Sequence, residues 1–128
     1  MQLSSTQTAH RAASRAVYGA LAVALLAAAI HEAATHGSGW WLFAAFLAGP
    51  DLALFFGIGT QLEHGQLHPR AVPLYNALHS FWGPAALALA AIVLPGGILV
   101  GGLAWACHVS VDRAVGYGMR TRDGFQRS

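Results

Sequence analysis

Lysine is absent from this chain of 128 residues, and only 9% of its residues are charged. A soluble domain carries about 25%, so the deficit points to a membrane protein. The positive charge rests on seven arginines. They form no patch with interleaved aromatics, which argues against a nucleic-acid partner. A single cysteine, Cys107, excludes an intramolecular disulfide and any multi-cysteine zinc knuckle. It lies inside an apolar run and reads as a small buried apolar side chain. No internal repeat is present.

What is abundant is hydrophobic sequence, 55% of the chain. It divides into four runs, each near the 20 or so residues that cross a bilayer. Residues 1–14 form a polar tail, expected to be disordered or to lie at the interface. A first helix is expected over 15–35; a basic start before an apolar run also fits a signal peptide, but a transmembrane helix is the reading adopted. Gly37-Ser38-Gly39 makes a turn, and Trp40-Trp41 resembles an interfacial anchor. A second helix is expected over 40–59, kinked at Pro50, which lacks a backbone donor. Residues 60–73 are hydrophilic and read as a loop. A third helix over 74–94 is bent at Pro84, and Pro95-Gly96-Gly97 makes a tight turn. The fourth helix spans 98–119, and 120–128 is a polar tail. The expected fold is therefore all-α, an integral membrane bundle of four transmembrane helices.

Four crossings place both termini and the 60–73 loop on one side. Arg11, Arg15, Arg70, Arg113, Arg120, Arg122 and Arg127 then all lie on or near that side. The two opposite loops have no arginine. The positive-inside rule assigns such a side to the cytoplasm, giving a bacterial inner-membrane protein with cytoplasmic termini.

Ionisable groups within membrane segments are costly and mark functional sites by default. At 1.5 Å rise per residue, Asp51 lies roughly 16 Å along the second helix. His108 falls near the middle of the fourth, with Asp112 one turn on and on the same face. Asn76 and His79 share a face early in the third, and Tyr75 can join them. All of these depths fall in the cytoplasmic half. Asp51, His79, His108 and Asp112 make a plausible divalent-metal set for zinc, manganese or iron. Asn76 and Arg113 are the candidates to orient a substrate. Other polar groups carry weaker signals: His31, Glu32 and His36 near the opposite end, His64 and His68 in the loop, and the close-packing pattern Gly97-x-x-x-Gly101.

The pattern Pro50-Asp51, Tyr75-Asn76-x-x-His79 and Trp105-x-x-His108-x-x-x-Asp112-Arg113-x-x-Gly116-Tyr117-Gly118 resembles the small bacterial integral membrane proteins of domain-of-unknown-function family 4260. The likeness covers roughly residues 40–125, and Phe125 falls where that family also tends to carry phenylalanine. It implies a four-helix membrane protein and no particular reaction. The hydrophilic stretch between the second and third helices is longer here than the family pattern. More loosely, Asp51, His79, His108 and Asp112 resemble, in order and type, the pattern of the membrane-bound metal-dependent hydrolases.

The leading expectation is a metal-dependent membrane hydrolase, in which metal-bound hydroxide attacks a lipid-linked or membrane-delivered ester. Two alternatives stay open. One is a small transport or proton-relay protein, whose thin bundle would have to form a homo-oligomer to build a pathway. The other is a structural or accessory membrane protein whose polar network serves helix packing alone.

Overall fold

A computed structural model describes residues 4–94 and 96–127. Residues 1–3 and 128 of the expected tails, and Pro95 of the expected turn, lie outside the described residues. Helix α1 spans Ser5–His36, starting ten residues earlier than the sequence suggested. No glycine or proline interrupts the stretch up to Tyr18, and alanine and arginine are strong helix formers. Ser4 caps it, its side chain accepting from the Gln7 amide at 3.3 Å. Gly37, at φ +62°, ends it. Ala22, Ala29 and Ala33 form its buried stripe, while Val17, Val23 and Ile30 face outward. Small side chains on the inner stripe let helix backbones approach closely.

Helix α2 (Trp40–Ala48) passes directly into a 3₁₀ helix over Gly49–Gly57. Runs of 3₁₀ helix beyond three or four residues are uncommon. Pro50 forces the change, because its ring clashes with the carbonyl four residues back and it donates no hydrogen bond. The expected kink is thus a change of helix type. Residues 58–68 lead to a short 3₁₀ turn, Pro69–Ala71, and to helix α3, Val72–Leu78. This hydrophilic stretch is docked: Leu67 is buried with Ala53, Ala71 and Tyr75. The fit against Gly57 is so close that a Cβ there would overlap the Leu67 side chain.

The expected third helix is two helices, α3 and α4 (Trp82–Ala90). An α-helix continuing through His79–Phe81 would drive the Pro84 ring into the Ser80 carbonyl. Pro84 instead occupies the first turn of α4, where amide donors have no helical partner anyway. The carbonyls freed at the break are taken by side chains. Ser80 Oγ donates to Ala77 O at 2.9 Å, Trp105 Nε1 to Leu78 O at 2.7 Å and Arg113 Nη2 to His79 O at 2.6 Å. Irregular backbone at membrane depth requires such internal partners.

Helix α5 (Ile98–Val115) is the hub and packs against α1, α2 and α4. Its buried positions include Gly101, Gly102, Ala104, Cys107, His108 and Ser110. Gly116, at φ +100°, ends it, four residues short of the expected limit. Residues beyond it fold back. Arg120 and Gln126 form an antiparallel bridge, and Leu67 N donates to Gly124 O at 3.0 Å. The expected polar tail at 120–127 is therefore a small hairpin docked on the 58–68 segment.

Four legs of chain run between two ends of the bundle. Glu32, Ser38, Ala91 and Gly97 meet at one end; Arg15 with Val115, and Asn76 with Arg120, meet at the other. Among the described residues, three helical stretches are long and apolar enough to cross a membrane: Ser5–His36, Trp40–Gly57 and Ile98–Val115. The remaining leg is the α3–α4 pair. Exposed Phe55, Phe56, Ile92 and Val93 are compatible with contact to a bilayer.

Candidate metal centre

Four side chains from three legs converge. Asp51 comes from the first turn of the 3₁₀ helix and His79 from the end of α3. His108 and Asp112 stand one turn apart on α5. One ligand atom from each lies within 4.8 Å of all the others. The two imidazoles are buried, Asp112 is mostly buried and Asp51 is exposed. The histidines therefore form the floor, with the carboxylates at the rim.

The separations among His79, His108 and Asp51 are close to coordination spacing, and Asp112 stands slightly farther off. His79 Nε2 lies 3.3 Å from His108 Nε2 and 3.3 Å from Asp51 Oδ1. It lies 3.5 Å from Asp112 Oδ2. His108 Nε2 is 3.4 Å from Asp51 Oδ1 and 3.8 Å from Asp112 Oδ2. A tetrahedral zinc ion with bonds of about 2.0–2.1 Å spaces its donor atoms roughly 3.3–3.4 Å apart.

The other ring nitrogens fix the protonation pattern. His79 Nδ1 is 2.8 Å from Tyr75 O, and His108 Nδ1 is 2.7 Å from Leu47 O. A carbonyl only accepts, so each Nδ1 carries the proton. In the neutral rings both Nε2 atoms are then bare lone pairs, facing each other and two carboxylates. Four acceptors in contact can be reconciled by a metal ion or by protons shared among them. Metal-bound histidines typically donate their second ring N–H to a carbonyl or carboxylate in this way.

Pro50 makes one of these anchors available. In 3₁₀ register, the donor to Leu47 O would be the nitrogen of residue 50. Proline has no hydrogen there, so in that register no amide competes with the His108 ring for this carbonyl. Asp51, next to Pro50, joins the cluster, and the Leu47 carbonyl three residues before Pro50 accepts from the His108 ring.

The family model described as Domain of unknown function (DUF4260) matches residues 17–128. The chain belongs to this family. The match takes in α1 from Val17 onward, beyond the 40–125 span on which the sequence resemblance rested. No curated protein and no solved structure matches the chain.

The other residues singled out from the sequence lie around the centre or away from it. Asn76 holds the Arg120 backbone from both sides, accepting from its amide at 2.7 Å and donating to its carbonyl at 3.0 Å. Arg113 donates to the carbonyls of His79 and Tyr117. Both side chains brace backbone next to the centre. Tyr75 stacks on His79, with ring centroids 3.9 Å apart. The Arg120 guanidinium lies 4.9 Å from the Tyr75 ring. Sequence reasoning missed Arg120, which lay in an apparent tail with no spacing to mark it. A cavity of about 400 Å³ opens beside the carboxylates, lined by Asp51, Tyr75, Asp112, Tyr117, Arg120 and Gln126 among others.

At the far end, His36 pairs with Glu32 at 3.2 Å on the surface. His68 caps the Pro69–Ala71 turn, accepting from the Arg70 amide at 3.2 Å. His31 and His64 are exposed. Among the described residues, none of these joins a cluster of three or more metal-ligating side chains.

Proposed function

We propose that this chain is a metal-dependent membrane hydrolase acting on an ester in a lipid-linked or membrane-delivered substrate. The ion would be held by Asp51, His79, His108 and Asp112. The observation that carries this reading is the pair of bare Nε2 atoms 3.3 Å apart, each ring's other nitrogen being committed to a carbonyl. The mixed imidazole and carboxylate donor set suits zinc, manganese or iron. Such an ion supplies Lewis acidity for hydrolysis. The cavity beside Asp51 and Asp112 admits substrate and water, and Arg120 at its wall offers a positive edge for an anionic group. Arg113 and Asn76 act here as positioning residues, one fixing the turn that carries His79 and the other fixing Arg120. The residue-by-residue likeness to membrane-bound metal-dependent hydrolases supports the reaction class by analogy. We place the protein in the bacterial inner membrane with four crossings, the arginine-rich end and the centre facing the cytoplasm.

The same Nε2 pair favours a second reading. Two imidazoles at 3.3 Å can share a proton, as a relay would require. Elemental analysis separates the two, with purified wild type measured beside the His108→Ala, Asp112→Ala double variant in mild detergent. The hydrolase reading expects about one transition-metal ion per chain, lost in the variant with the helical fold retained. No metal in the wild type after resupply with zinc, manganese and iron overturns it in favour of the relay.

A further inference from the structure

A second polar cavity lies apart from the Asp/His centre. It occupies about 320 Å³ and is lined by His10, Arg11, Ser14, Arg15, Gly116 and Arg127. Three elements build it: the early turns of α1, the end of α5 and the last residues of the hairpin. Among the described residues no carboxylate lines it and no arginine lies in a salt bridge. Arg11 and Arg15 are one helical turn apart, as are His10 and Ser14, so α1 presents two adjacent polar rows.

Arg15 is held in a fixed pose. Its Nε donates to Ala114 O at 2.7 Å and its Nη2 to Val115 O at 3.1 Å. These bonds compensate the partial negative charge at the α5 terminus. Nη1 lies on the Gly116 side, 3.8 Å from where a Cβ on that residue would stand. Gly116 has φ +100°, and its lack of a side chain leaves the wall beside this guanidinium open.

We propose that this cavity binds a phosphate group through Arg11, Arg15 and Arg127. Guanidinium forks match phosphate oxygens in pairs. The position favours a lipid source, since the apolar run of α1 begins at Ala16, directly after Arg15. The pocket therefore stands at headgroup level, and basic pockets between membrane helices bind anionic headgroups. A soluble phosphorylated molecule offers the same chemistry, and the test distinguishes the sources.

The full chain, purified in mild detergent, is examined by native mass spectrometry with phosphatidylglycerol and with phosphatidylcholine. In parallel, its unfolding temperature is followed with inorganic phosphate against chloride at equal ionic strength. The expected result is retention of about one phosphatidylglycerol per chain in preference to phosphatidylcholine. The Arg11→Gln, Arg127→Gln variant weakens that binding by about tenfold. Ser14→Glu, which places a carboxylate in the cavity, weakens it comparably, and Arg122→Gln leaves it unchanged. Stabilisation by inorganic phosphate that both cavity variants abolish, without lipid preference, supports the site with a soluble source. Equal retention of the two lipids with no phosphate response overturns the proposal. So does phosphatidylglycerol binding that survives both cavity variants.

Discussion

His79 and His108 meet edge to face, their ring planes 62° apart and their Nε2 atoms 3.3 Å from each other. They come from different legs of the bundle, and each is oriented by a backbone carbonyl: Leu47 O for His108 and Tyr75 O for His79. Tyr75 O already accepts the His79 amide at 2.9 Å at the end of α3 and takes its ring N–H as well. Both carbonyls lie close to a helix interruption, one before Pro50 and one at the end of α3.

Replacing Pro50 should loosen it without removing a ligand. Pro50→Ala restores an amide able to compete with His108 for the Leu47 carbonyl. Zinc affinity, measured by chelator competition, is expected to fall about 10–100-fold with the circular dichroism spectrum unchanged. An unaltered affinity would show that this carbonyl does not orient the ring.

Asp51 offers a test of ligand geometry. Asp51→Glu keeps the charge and extends the side chain by one methylene. A four-donor cage with fixed spacings tolerates this poorly, so metal occupancy should drop at least about tenfold. Retained proton flux in liposomes alongside a metal-free wild type would instead favour the relay.

Metal affinity should weaken in acid, because imidazole and carboxylate ligands bind an ion only when deprotonated. Titration from neutral to mildly acidic pH, followed by dialysis and metal analysis, should release the ion progressively. The His108→Ala, Asp112→Ala variant should show no such transition.

Packing around the broken leg depends on Gly83. A Cβ there would overlap the Trp105 ring, and that ring is held by its N–H bond to Leu78 O and by stacking on Phe46. Gly83→Ala should cost about 1–3 kcal/mol through overpacking, read as a lower unfolding temperature in detergent. A neutral result would mean that Trp105 can move aside.

Asn76→Ala should release the C-terminal hairpin. Both hydrogen bonds to Arg120 disappear, leaving partly buried backbone groups unpaired at about 1–3 kcal/mol. Hydrogen exchange at residues 118–127 should accelerate while that of α5 does not. Protection that remains in the variant would assign the docking to Leu67 and Gly124 instead.

Much of this arrangement was legible in the sequence. Rise per residue and the i, i+4 rule suffice to bring Asp51, His79, His108 and Asp112 to one depth, since charged groups on apolar helices have few other places to go. Pro50 and Pro84 flagged both interruptions, but not their outcomes. Whether a proline bends a helix or ends it depends on which partners meet the freed carbonyls, and Trp105 and Arg113 are remote in sequence from Leu78 and His79. The docked hairpin left no periodic signal, because its contacts run from Asn76 and Leu67 to backbone at Arg120 and Gly124. The early start of α1 followed from Ser4 and from the absence of breakers, features that polarity had outweighed. Arg113 and Asn76 stood out as charged or amide groups, and only the structure assigns their hydrogen bonds to backbone.

Because α5 packs against α1, α2 and α4 and carries half of the Asp/His set, the order of synthesis matters. A ribosome delivers the first three legs with their principal packing partner still missing. Asp51 and His79 must wait, incompletely matched, until α5 is translated. The centre therefore assembles only once α5 has been made, and removing α5 would abolish the core of the bundle together with half of the Asp/His set.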